Sequence, residues 1–138
     1  MKRDFWRFFH DGVIDRISGS VPGNVVVEIE IEYLRQMFEG DGNSFNVNLT
    51  VCTKIEYSVY DGAPISDMQE IVSNEPEILY VNETEPEVIL DCAIGRLVLN
   101  YADARVSLDS GQQVTYEELE QATKKYWSDA REHNAPST

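Results

Sequence analysis

Histidine and cysteine are scarce in this chain, at two each, and their scarcity removes several chemistries at once. Zinc and iron centres gather His and Cys at short spacing. Here His10 and His133 sit near opposite ends, and Cys52 and Cys92 stand alone. Neither a zinc site nor a disulfide framework is expected. A serine or cysteine hydrolase needs a base beside its nucleophile, and only His10 lies near predicted ordered structure. Gly19-Ser20-Val21-Pro22-Gly23 is not a nucleophile elbow, which would centre its serine between glycines after a buried strand. Phosphate-cradling G-x-x-x-x-G-K and G-x-G-x-x-G stretches are missing. Glu39-Gly40-Asp41-Gly42-Asn43-Ser44 faintly resembles a calcium loop. An EF-hand wants Gly at its sixth position and Glu at its twelfth, where this chain has Ser44 and Thr50. The segment reads as an ordinary turn. With 25 acidic residues, some carboxylate pair always lies at a spacing suited to acid–base work on sugars, so no pair is singled out. The expectation is a chain with no catalytic residue, no metal ligand and no cofactor.

Long apolar runs are also missing. Nothing approaches the ~20 residues of a membrane span. Met1-Lys2-Arg3-Asp4 leads into mixed aromatic and polar residues rather than an apolar leader segment, so no secretory signal is expected. A reducing cytoplasm is the expected compartment. Asn48-Leu49-Thr50 and Asn82-Glu83-Thr84 match the glycosylation pattern, and in that compartment the match is a coincidence.

Basic residues are few where acidic ones are dense. The chain carries 11 basic and 25 acidic residues, for a net charge of −14. Between Ile17 and Gly95 the only cations are Arg35 and Lys54, against 15 acidic residues. A field of this sign repels nucleic-acid phosphates and anionic membranes. It attracts basic proteins and speeds their encounter. Acidity also confers solubility with no partner in view.

What the chain does have is alternation. Val25, Val27, Ile29, Ile31 and Tyr33 fall on one face of a strand, and Val26, Glu28, Glu30 and Glu32 on the other. This period of two suits a strand with one wet face. Leu34, Met37 and Phe38 follow at helical spacing and predict a single turn that plugs the core. A second alternation runs from Phe45 to Val59, with Phe45, Val47, Leu49, Val51, Ile55, Tyr57 and Val59 on one parity and Thr53 as the polar interruption. At ~3.3 Å per residue it would reach ~50 Å, so a bend or bulge is expected near Thr53. If this strand pairs with the first, Glu28, Glu30, Glu32, Glu56 and Lys54 share one surface. Cys52 falls on the polar parity, either under a helix or partly exposed. Lys54 would lower its pKa and nearby glutamates would raise it, so it reads as an inert thiol. Cys92 lies in an apolar run and reads as core.

Phe5 to His10 reads as a strand returning through Asp11-Gly12 to Val13–Ser18, a favoured hairpin turn. Val21-Pro22-Gly23-Asn24 suits a type II turn. Ser66 and Gln69 form a capping box for a short helix with Ile65, Met68, Ile71 and Val72 on its apolar face, ended at Glu75-Pro76. Ile78–Asn82, Val88–Ile94, Leu97–Tyr101 and Arg105–Leu108 read as further strands. Thr115 caps the last helix, Glu118 closes its capping box, and Val114 and Leu119 form the hydrophobic staple. Leu119, Ala122, Thr123, Tyr126, Trp127 and Ala130 make its inward stripe.

This pattern predicts one α+β domain over residues 1–132 and a flexible tail over 133–138. The architecture is a twisted antiparallel sheet or open β-sandwich of about seven or eight strands with the C-terminal helix packed on one face; a mostly-β sandwich is the alternative.

Two functions fit. The first is a non-catalytic module that binds a basic protein, in its concrete form an inhibitor or immunity protein that neutralises a cationic toxin or nuclease. Glu28, Glu30, Glu32, Glu56, Glu75, Glu77, Glu83, Glu85 and Glu87 are its contact candidates. The second is an accessory, structural or ligand-binding subunit that self-associates through Phe5, Trp6, Phe8 and Phe9, because aromatic side chains anchor interfaces. Burial of that aromatic segment on both sides is the plainer alternative.

Overall fold

The computed structural model describes residues 1–134. Among these residues nine strands, all paired antiparallel, form two sheets. The first sheet has the order β1 (Val13–Gly19), β2 (Gly23–Glu30), β3 (Ser44–Cys52), β8 (Asp103–Leu108) and β9 (Gln113–Val114). The second has the order β4 (Lys54–Val59), β7 (Gly95–Asn100), β6 (Val88–Cys92) and β5 (Ile78–Glu83). A 3₁₀ helix (Arg3–Phe9) precedes β1, and α1 (Glu32–Arg35), α2 (Met68–Ser73) and α3 (Tyr116–Asn134) complete the chain. The fold is α+β, as the strand patterns and terminal capping box predict. Inward residues of both sheets and the 3₁₀ helix form one core, which includes Ile29, Phe45, Val47, Tyr57, Leu90, Leu97 and Val106.

The long alternating stretch explains the strand count. Its first half, β3, lies between β2 and β8; its second half, β4, pairs with β7 in the other sheet. The expected bend falls at Val51–Thr53. Val51 has φ 50° and its side chain is 60% exposed, while Cys52 turns inward and is fully buried. The parity that put Val51 inside and Cys52 outside is therefore reversed at the crossing. It also follows that Glu28 and Glu56 lie on different sheets, so the single acidic surface expected from their pairing does not form.

The N-terminal aromatic segment is helical, not a hairpin strand. In a 3₁₀ helix residues three apart eclipse one another, so Phe5 with Phe8 and Trp6 with Phe9 form two inward columns, and Asp4 with Arg7 forms the polar one, His10 following as the extended cap. Trp6 stacks on Phe5 at 4.8 Å and donates Nε1–H to the Tyr101 hydroxyl at 3.0 Å; Phe9 meets Phe45 at 5.3 Å. All four aromatic side chains are at most 2% exposed. They fill the core of their own chain, which leaves no exposed aromatic patch here for the oligomer contact expected from the sequence.

Smaller corrections follow the same logic. The cap of α2 is Asp67, whose carboxylate accepts from Glu70 N–H at 2.9 Å, rather than Ser66. The turn after β1 contains a cis Val21–Pro22 peptide, not a type II turn. The capping box of α3 is as expected: Thr115 N–H donates to Glu118 Oε1 at 3.0 Å, and Glu118 N–H to Thr115 Oγ1 at 3.1 Å. Leu119 and Ala122 are buried, but Trp127 stays 44% exposed at the rim. The backbone of α3 includes His133 and Asn134, two residues placed in the tail by the sequence reading; the rest of that tail lies outside the described residues.

Candidate functional site

The carboxylates expected to meet a partner fall into four places. Glu28 lies alone on the outer face of the first sheet, between Arg16 and Asn46 in a polar row that continues to Ser107 and Gln113. Glu56, Glu83 and Glu87 belong to the second sheet and its β5–β6 turn. There Glu87 meets Lys54 at 3.1 Å, and Glu85 at the turn meets Arg3 at 3.6 Å. Glu77 bridges β1 at Val13.

Glu30, Glu32 and Glu75 come together. The end of β2 supplies Glu30, Ile31 links it to α1, and α1 follows at once with Glu32 and Tyr33. Asp11 arrives from the link after the 3₁₀ helix, and Glu75 from two residues beyond α2, held at φ 47°. With Val13 and Gln36 these residues line a cleft of about 650 Å³. Among the described residues four acidic residues and no Lys or Arg line it, and the Asp11 carboxylate meets His10 Nδ1 at 3.1 Å. The link is tied down by backbone bonds: Asp11 N–H donates to Ile78 O at 2.8 Å, and Ile78 N–H to Gly12 O at 2.8 Å.

Tyr33 forms the aromatic wall of the cleft. Its hydroxyl donates to the His10 carbonyl at 2.6 Å, and its ring packs on Tyr126 at 4.5 Å with Trp127 at 6.3 Å. Burial, reinforced by the negative charge of Asp11, pushes its pKa up to about 12. The phenol therefore stays neutral and keeps its hydrogen bond at any ordinary pH. An aromatic face beside carboxylates suits a Lys or Arg side chain, through charge and through cation–π attraction. Sequence reasoning missed two members of this site. Asp11 read as a hairpin turn, and Tyr33 as one more inward position of a strand that in fact ends before it.

The thiols are remote from this chemistry. Cys52 is buried, its pKa raised by burial despite an S–H contact to the Lys54 carbonyl at 3.5 Å. Burial, with the charge of Asp91, pushes Cys92 up to about 12. Among the described residues no three His, Cys, Asp or Glu side chains are grouped to hold a metal ion, and no helix is long and apolar enough to cross a membrane.

No protein-family model matches the chain, and neither a curated protein nor a solved structure matches it.

Proposed function

We propose that this chain is a non-catalytic binding module for a basic protein, in the manner of an inhibitor or immunity protein that neutralises a cationic toxin or nuclease. The observation that carries the reading is the cleft that Asp11, Glu30, Glu32 and Glu75 line together with Tyr33, with no Lys or Arg among its described lining residues. A net charge of −14 steers cations toward the surface, and such steering weakens as salt shortens the screening length to ~8 Å at physiological strength. Nucleic acids and anionic membranes are disfavoured partners on the same ground. The cytoplasmic setting is part of the proposal, and two free buried thiols are in keeping with it.

The test is capture from the lysate of the native host, eluted along a salt gradient, with wild type compared against Glu30→Lys combined with Glu32→Lys. Both side chains are exposed, so the double variant should fold. One basic protein that elutes from wild type at moderate salt and is lost by the variant is the expected result. Equal capture by the two proteins would sink the cleft as the contact.

A further inference from the structure

The outer face of the second sheet carries a second pattern that the cleft does not use. Cross-strand pairing aligns Glu56 of β4, Val98 of β7, Ile89 of β6 and Glu83 of β5 in one row. Two half-buried apolar side chains on the inner strands are thus bracketed by carboxylates on both edge strands. The neighbouring row runs Ser58, Arg96, Asp91 and Tyr80, and Tyr80 is 58% exposed. The cations of this face are already engaged, Arg96 with Asp91 at 2.9 Å and Lys54 with Glu87 at 3.1 Å. Glu56 and Glu83 are in no ion pair among the described residues. The helices are packed elsewhere for the most part: α3 on the 3₁₀ helix and α1, α2 chiefly on β1 with a smaller contact to β4, and the 3₁₀ helix beside the edge strand β5.

We infer that this face docks an amphipathic helix of a partner protein, with Lys or Arg on both flanks of its apolar stripe. Three strand spacings separate Glu56 from Glu83 by about 14 Å, slightly more than the ~10–12 Å width of a helix with its side chains. A helix laid along β6 and β7 sets its stripe on Val98 and Ile89, and long basic side chains on either flank reach down to the two glutamates. Charge complementarity selects the occupant. A second copy of this chain would bring Glu56 and Glu83 against a face of the same sign whose cations are already paired, so self-association is opposed. The inference rests on the reading of a basic partner and adds its shape.

The experiment uses the full chain and two designed peptides of identical Leu and Lys composition. In one the Leu residues fall in a single helical stripe; in the other the order is scrambled. Binding is followed by amide chemical shifts and a titration. The striped peptide should shift resonances around Glu56, Ile89 and Val98, and bind at least about tenfold more tightly than the scrambled one. Glu56→Gln with Glu83→Gln, and separately Val98→Thr with Ile89→Thr, should each remove about that factor, whereas Glu30→Gln with Glu32→Gln should not. Retained far-UV circular dichroism confirms that each variant is folded. Equal binding of both peptides, or shifts confined to Asp11, Glu32 and Tyr33, would overturn the sheet-face inference while leaving the basic-partner reading in place. Absence of binding by either peptide at low ionic strength would overturn the sheet-face inference, and the capture experiment above decides the basic-partner reading separately.

Discussion

The Arg35 guanidinium, 1% exposed, donates Nε–H to Asp109 Oδ1 at 2.8 Å and so joins α1 to the end of β8. The other oxygen of Asp109 accepts from the amides of Asn43 at 2.9 Å and Ser44 at 3.2 Å, and Arg35 Nη1 donates to the Glu39 carbonyl at 2.9 Å. One ion pair thus gathers both ends of the loop between α1 and β3. Burial acts to raise the Asp109 pKa, but the Arg35 bond and the two amides outweigh it, and the net shift is downward. A carboxyl lowered in the folded state adds stability above its unfolded pKa, ~3.9, and loses it as pH falls through the lower folded value. Acid unfolding followed by fluorescence should accordingly show less loss of stability below pH ~4 for Asp109→Asn than for wild type. At neutral pH, Asp109→Ala leaves Arg35 buried without its carboxylate and should cost about 3 kcal/mol in urea unfolding, the lower end for a broken buried pair because Asp109 is 25% exposed.

Tyr57 covers Gly95. A β-carbon at Gly95 would stand 2.6 Å from both Cζ and the hydroxyl of Tyr57, and 2.5 Å from the Ser58 carbonyl. The fully buried Tyr57 hydroxyl has no hydrogen-bond partner among the described residues. Tyr57→Phe should therefore be neutral or stabilising by up to ~1–3 kcal/mol, since it removes a desolvated hydroxyl that gains nothing in return. Gly95→Ala should be destabilising by ~1–3 kcal/mol from overpacking. Thermal unfolding of the two variants checks both signs, and a destabilised Tyr57→Phe would mean that the hydroxyl has a partner after all.

The sheets were legible where one face is wet, because Val25–Glu30 and Phe45–Leu49 alternate as such strands must. The α3 capping box was legible because Thr115 and Glu118 interact over a single turn. The N-terminal segment was misread because Asp4-Phe5-Trp6-Arg7-Phe8-Phe9-His10 carries a period of three, polar-aromatic-aromatic, which a period-two template reads as a strand buried on both sides. Triplet spacing was the signal available. The cleft was legible only in part. Its residues are local to three separate segments, and their meeting depends on the bonds between Asp11, Gly12 and Ile78, which no local pattern encodes. Glu56 was misplaced because residues on either side of a bend share a parity without sharing a sheet.

Core placement of the aromatic segment gives a direct test. Trp6→Ala should cost ~3–5 kcal/mol, the range for emptying a buried aromatic site, with the loss of the Tyr101 hydrogen bond included. Urea unfolding measures it. A cost below ~0.5 kcal/mol, the range of surface substitutions, would return Trp6 to the surface and revive the oligomer contact.

Val51 is the costliest backbone position in the crossing between sheets. A β-branched residue at φ 50° places its β-carbon against its own backbone, at ~1–2 kcal/mol for an L-residue in the left-handed region. Nothing in the core repays this, because the side chain is 60% exposed. The conformation is held instead by its surroundings: Val51 N–H donates to Asn24 Oδ1 at 3.3 Å, and Cys52 on one side and Leu49 on the other are both fully buried. Asn tolerates the left-handed region better than most residues, so Val51→Asn should raise the unfolding free energy by ~0.5–1 kcal/mol. Gly would relieve the same strain but add unfolded-state entropy, so Val51→Gly should gain less than Val51→Asn. Thermal unfolding of the pair gives the order, and a loss of stability in both would mean that the exposed valine makes contacts worth more than the strain it carries.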